Sequence, residues 1–302
     1  MNTRRGFTLV ELLVALILLT FVLGGIYKLL NTTQRVSRAQ AERIDMQSNM
    51  RAGTLIVPAE LRSIGFDSVP AAAANGPVVP DLQSIQPNSV QFRAYRGLGI
   101  VCQVNVSPNQ LIVGTAANYS ALRAPSVSPR DSLTIFVEND PTTTLDDRWV
   151  SRAITSVAAT TCPDGSAALA FGTAFDAPND PVPPAQITVG SPIRTFEGME
   201  YSLYQDASGP YYLGARSASD PAATRQPVLG PLSANGFHLE YYDRNGAQIT
   251  GNGLTDQRNV RAIQVTLVGV SSQVVTSSGY GTQQQAVDSV VTLVQLRNAV
   301  HR

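Results

Sequence analysis

Residues 7–30 read FTLVELLVALILLTFVLGGIYKLL, an almost unbroken apolar run. A helix of this length reaches roughly 36 Å, enough to cross a hydrocarbon core of about 30 Å. Arg4 and Arg5 precede it, so its start is expected to stay cytoplasmic and the chain after Leu30 to lie outside. A secretory signal shares the basic start, but its cleavage site follows the apolar run. Here the run is followed by NTTQRVSRAQ, which offers no A-x-A site, so the helix is expected to be retained.

One residue breaks the pattern of a plain anchor. Glu11 sits inside the apolar run, and a carboxylate in hydrocarbon is costly unless paired. Two readings follow from physics alone: Glu11 reaches the headgroups from near the helix end, or it meets a cation within the membrane. The charge of the whole chain does not show this, because 22 basic and 22 acidic residues cancel in 302. That balance excludes a strongly basic nucleic-acid binder, and 43% hydrophobic residues exclude a disordered polyelectrolyte. Charged residues are only 15%, and Lys28 is the one lysine, so the outer surface reads as polar and sparsely charged.

Arg4-Arg5, then Gly6-Phe7-Thr8-Leu9-Val10-Glu11 and a long apolar helix, resemble the N-terminal signature of type IV pilin-like proteins. The resemblance implies that prepilin peptidase cuts between Gly6 and Phe7 and that Phe7 becomes N-methylated. Glu11 would then attract the N-terminal amine of a neighbouring subunit. The physics agrees, since a carboxylate and an ammonium in low dielectric offset each other's desolvation and fix axial register. Further segments resemble PilW-type minor pilins and the related J-type minor pseudopilins of type II secretion. They are Leu61-Arg62-Ser63-Ile64-Gly65-Phe66, Tyr211-Tyr212-Leu213 with Arg216, residues 236–243 with Gly246, residues 260–267, and residues 294–298. The implied role is a minor pilin that helps prime or cap pilus assembly. Its implied partners are prepilin peptidase, other minor pilins, the major pilin and the inner membrane. The alternatives are a J-type pseudopilin, or a membrane-anchored adhesion or DNA-uptake module.

The expected organisation is a leader at 1–6, a transmembrane and assembly helix at 7–30, an amphipathic stem helix at 31–66, and an extracytoplasmic β-rich domain at 67–302. The stem carries a weak apolar stripe of Val36, Ala39, Met46, Met50, Gly53 and Val57, interrupted by Arg43. Pro58 should end or kink the helix. Gly24-Gly25 is a weak point in the rod or a tolerated pair of membrane glycines. Residues 67–88 read as a loop. Strands are expected at 89–95, 99–106, 110–114, 132–138, 149–157, 167–171, 194–205, 210–216, 236–243, 260–271 and 287–297, with a hairpin turn at Asp243-Arg244-Asn245-Gly246. The fold class is therefore α+β: one long N-terminal helix packed on a mainly antiparallel β domain.

Cys102 and Cys162 fall in the expected exported domain, where a disulfide persists; two buried free thiols are the other reading. A bridge would close a loop of about 60 residues, worth roughly 4 kcal/mol in the chain-entropy model. No metal or cofactor is implied, because two Cys without supporting His make a poor zinc site. His238 reads as an ordinary sheet histidine and His301 lies in the tail. No G-x-S-x-G, H-E-x-x-H or P-loop occurs, so an enzyme is not expected. Acidic clusters at Glu138-Asn139-Asp140 with Asp146-Asp147, and at Asp176 with Asn179-Asp180, lack EF-hand spacing and read as solvated loops. Arg93, Tyr95 and Arg96 are the nearest approach to a DNA-binding face, the partner that the residues favour least.

Overall fold

The computed structural model describes residues 8–64, 81–115, 120–121, 124–138, 140, 142–143, 147–175, 182–220, 222–276 and 283–296. The chain forms two compact units, Met1–Ser48 with Val270–Asp288, and Asn49–Gly269 with Ser289–Arg302. Its elements in order are α1 (Leu9–Leu61), β1 (Leu82–Gln86), β2 (Ser89–Asn105), β3 (Gln110–Gly114), β4 (Ser120–Ala121), β5 (Asp131–Val137), β6 (Arg148–Ala153), β7 (Ser156–Thr161) and β8 (Ala167–Gly172). There follow β9 (Pro192–Gln205), β10 (Tyr211–Ser217), β11 (Gln226–Tyr242), β12 (Gln248–Ile249), α2 (Leu254–Asn259), β13 (Ala262–Thr276) and β14 (Gln283–Gln295). The main path of the sheet runs β14-β13-β11-β10-β9-β2-β3-β8-β7, with β5 joined to β9 and β6. The expected α+β class, a long helix with a large antiparallel sheet, is the one observed.

In the first unit the helix residues before Asn31 are all exposed, as an apolar surface meant for a non-aqueous neighbour would be. The tips of β13 and β14 belong to the same unit. There the Glu42 carboxylate accepts from the Gln273 amide at 3.3 Å, and Ser271 Oγ accepts from the Ala286 amide at 2.9 Å.

In the second unit the last turns of α1 lie on the sheet. Met50, Gly53, Val57, Leu61 and Ile64 are buried there, at the three- and four-residue spacing that keeps one helix face inward. Full burial of a side chain such as Leu61 contributes about 1.5–3 kcal/mol. Gly53 is where the helix comes closest: a Cβ built there would stand 2.5 Å from Leu229 Cδ2 and 2.9 Å from Leu267 Cδ1, on β11 and β13. The expected stripe holds from Met46 onward, but Val36 is exposed and Ala39 only half-buried. Pro58 does not end the helix. It is buried in the last turn, where Arg62 N donates to Pro58 O at 3.0 Å, so only one hydrogen bond near the helix end is forfeited.

Several strand expectations also change. The segments at 89–95 and 99–106 are one strand, β2, whose register shifts between Tyr95 and Gly97 opposite β9. The segment at 149–157 is two strands, because Ile154 turns into the core between β6 and β7. Part of the expected loop at 67–88 is β1, held by pairing with β2 and by burial of Leu82 and Ile85; residues 67–80 of it lie outside the described residues. β11 starts ten residues before the expected 236 because β10 pairs with its first half.

A second core fills the space between β5, β6 and β9 on one side and β2, β3 and β8 on the other, through Val101, Leu111, Leu133, Ile135, Phe171 and Ile193. On the other face of β3 and β8, Cys102 and Cys162 are joined as a disulfide, their Cα atoms 5.8 Å apart, beside Ile112 and Ala170.

β9 carries two buried carboxylates. Glu197 accepts from Arg96 Nε at 3.0 Å and from Arg130 Nε at 3.2 Å, and Arg96 Nη1 reaches Glu60 of α1 at 3.4 Å. Glu200 accepts from Arg216 Nη2 at 2.7 Å, Arg225 Nη2 at 2.6 Å, Gln91 Nε2 at 2.9 Å and Ser202 Oγ at 3.1 Å. Burial pushes the Glu200 carboxyl up, but these donors outweigh it and hold the pKa down at about 2. Because the folded value is depressed, the stability that Glu200 contributes is present above about pH 4.5 and is lost as pH falls toward 2. We expect Glu200→Gln to cost on the order of 2 kcal/mol at neutral pH, allowing for solvent at the half-exposed arginines. Urea unfolding of both proteins between pH 7 and 2 checks this: the gap should hold to about pH 4.5 and then close.

Candidate assembly site at the helix N-terminus

The apolar face that follows the basic start is one helix, long and apolar enough to cross a membrane by length and composition. Its first turn contains the one acid of the run. Thr8 precedes the helix and Glu11 stands three residues on, the T-x-x-E spacing of a capping box. The geometry matches that spacing. Glu11 Oε2 accepts from Thr8 N and from Thr8 Oγ1, both at 3.0 Å, and Thr8 Oγ1 accepts from Glu11 N at 3.3 Å. Two donors that a helix start leaves without intrahelical partners are thus satisfied locally, and the carboxylate sits where the helix dipole favours negative charge. Such an arrangement holds one carboxylate oriented at the very end of the apolar rod, available to a cation brought from outside.

Thr8, which caps this first turn, is not among the expected site residues, although its T-x-x-E spacing with Glu11 is written in the sequence. Gly6 and Phe7, the residues of the expected processing site, lie outside the described residues. Lys28, the basic residue within the apolar run, is exposed. Thr20, Thr32 and Thr33 hide their hydroxyls by donating to the carbonyls of Ile17, Lys28 and Leu29 at 2.7–2.9 Å. Among the described residues nothing lies within 4 Å of a Cβ added at Gly24 or Gly25.

The remaining candidates do not converge. His238 is exposed on β11, opposite Thr266 of β13. Among the described residues no group of three or more His, Cys, Asp or Glu is arranged to hold a metal ion. Asp140 is engaged by the Thr142 amide and hydroxyl, which lower its carboxyl pKa; Asn139, Asp146, Asp176, Asp180 and His301 lie outside the described residues. Arg93, Tyr95 and Arg96 are not a common face. Arg93 stacks over Phe196 at 4.8 Å, whereas Arg96 is buried against Glu197 and Glu60.

If the cap orders the first turn, Thr8→Val should raise amide exchange across residues 9–12 about fivefold, a cap's worth of about 1 kcal/mol. Thr8→Ser should leave it unchanged. Hydrogen exchange read by mass spectrometry on the full chain in micelles distinguishes the two.

Residues 1–27 match the family model described as the prokaryotic N-terminal methylation motif. No curated protein and no solved structure matches the chain. The motif implies processing by prepilin peptidase and assembly with other pilins, and with the long apolar helix it supports a type IV pilin-like, membrane-anchored subunit.

Proposed function

We propose that the protein is a minor type IV pilin, a structural subunit rather than an enzyme, that helps prime or cap a pilus. Residues 1–6 act as a cytoplasmic leader, and prepilin peptidase cuts between Gly6 and Phe7 and methylates Phe7. Residues 7–30 store the subunit in the inner membrane, residues 31–66 form the stem, and residues 67–302 make up the extracytoplasmic domain. Glu11 of the stored subunit pairs with the N-terminal amine of a neighbour, which fixes its register as it leaves the bilayer.

The observation that carries this reading is Glu11, held at the first turn of a fully exposed apolar helix within the matched motif. Thr8 keeps the carboxylate hydrogen-bonded before a partner arrives, so insertion as a monomer and pairing on assembly use the same group. We expect Glu11→Ala to be cleaved and methylated at normal levels and to be depleted at least tenfold from sheared pili. Mass spectrometry of the N-terminal peptide and immunoblots of the pilus fraction test the two halves separately. Equal recovery of the variant in pili would remove the pairing role. A deletion strain that keeps its pili but fails to secrete would reassign the subunit to type II secretion.

The Cys102–Cys162 bridge serves this role by tying β2 to the end of β7 in an oxidising compartment. Removing it with Cys102→Ser and Cys162→Ser should cost about 4 kcal/mol from the loop-closure entropy of the unfolded chain. A fall in the midpoint of thermal unfolding measures it, and thiol counting of the unfolded wild type should find no free cysteine.

A further inference from the structure

Lys28 is the one lysine of the chain, and it stands near the outer end of the apolar run. Its side chain is exposed, Tyr27 beside it is 71% exposed, and no carboxylate among the described residues pairs with it. Residues 12–27 separate it from Glu11 and carry no charge, and the next charge outward is Arg35. The Glu11 carboxylate is drawn back to Thr8 by the helix cap. From Thr8 to Lys28 the chain advances twenty residues. In a helix that is roughly 30 Å, about the thickness of a hydrocarbon core. The cap and the lysine are thus spaced to lie at the two edges of one bilayer.

We propose that Lys28 binds the phosphate groups of lipids in the outward-facing leaflet, and so fixes the depth at which the stored helix holds Glu11. The inference rests on storage of the subunit in the inner membrane, as proposed above. A four-carbon stem lets the ammonium reach the headgroups while the stem stays in hydrocarbon, and its three N–H donors suit phosphate oxygens. Tyr27 supplies the amphipathic ring that membrane interfaces favour. The two charged ends oppose each other. A slide toward the cytoplasm draws Lys28 into hydrocarbon, and a slide outward draws Glu11 deeper in. Without Lys28 the uncharged run would extend to Gln34. The helix would then sink by about one turn and carry Glu11 out among the cytoplasmic headgroups. With Lys28 in place, each stored subunit presents its carboxylate at one level, where a neighbour's amine has to meet it.

A single lysine makes the contact directly readable, because labelling lysine with heavy nitrogen gives one Nζ signal. The full-length chain is placed in vesicles of phosphatidylethanolamine and phosphatidylglycerol, and flotation with the vesicles is read first. In solid-state NMR, dephasing by phosphorus should then remove most of the Nζ signal. Depth is read in spheroplasts. The native cysteines are bridged, so Asn31→Cys supplies the reactive thiol, and an impermeant maleimide added from outside should label it. Adding Lys28→Leu should slow that labelling several-fold, and adding Lys28→Arg should not. The proposal is overturned if the floated chain keeps its Nζ signal, if Lys28→Leu leaves the labelling rate unchanged, or if a carbodiimide couples Lys28 to a carboxylate of another chain in these membranes. A chain that does not float removes the membrane reading and this anchor with it, whereas normal recovery of Glu11→Ala in pili leaves the anchor standing.

Discussion

Water stabilises a carboxylate so strongly that burying one demands cations in return, and β9 buries two, on opposite faces of one strand. Glu197 points toward the side where α1 lies and is met by Arg96 and Arg130. Glu200 points the other way and is met by Arg216 and Arg225. β9 pairs with β2, β5 and β10, so these charges sit on a strand against which three others converge. Through Arg96 the inner network also takes in Glu60, and so fixes the rotation of the last helical turn about its axis as well as its position. Apolar packing brings the helix to the sheet; the ions specify which face and which turn arrive there.

This division explains what could be read in advance. The helix, its apolar first half, Glu11 and the α+β class are local features, written in consecutive residues and legible from hydropathy and spacing. Even the cap was legible, since Thr8 and Glu11 are three residues apart. The networks on β9 were not: Glu60, Arg96, Arg130 and Glu197 come from distant parts of the chain, and nothing local marks them as partners. The joining of two expected strands into β2 has the same origin. Gly97 and Gly99 look like a break until β9 supplies partners on both sides of the shift. Pro58 misled for the opposite reason, because a local rule was applied where the last turn tolerates one lost hydrogen bond.

The two halves of α1 solve different problems with one secondary structure. In residues 9–30 every face is apolar and exposed, so the sequence specifies an environment and leaves the neighbours open. In residues 49–61 one apolar face is buried and specifies a particular sheet, while the outward face mixes polar residues with the exposed Leu55 and Ile56. The first half keeps the Thr20 hydroxyl bonded to the Ile17 carbonyl and its acid bonded to its own first turn.

Gly53 shows how narrow that specification is. Its missing side chain is where the Cδ methyls of Leu229 and Leu267 sit, so a larger residue here would oblige those two side chains to shift. A stem is therefore not an interchangeable handle. A helix grafted onto this domain with a larger residue at this position would have to turn the Leu229 and Leu267 methyls aside, however well the rest of its apolar face matched. Conversely, this domain carries in Leu229 and Leu267 a keyhole cut for its own stem.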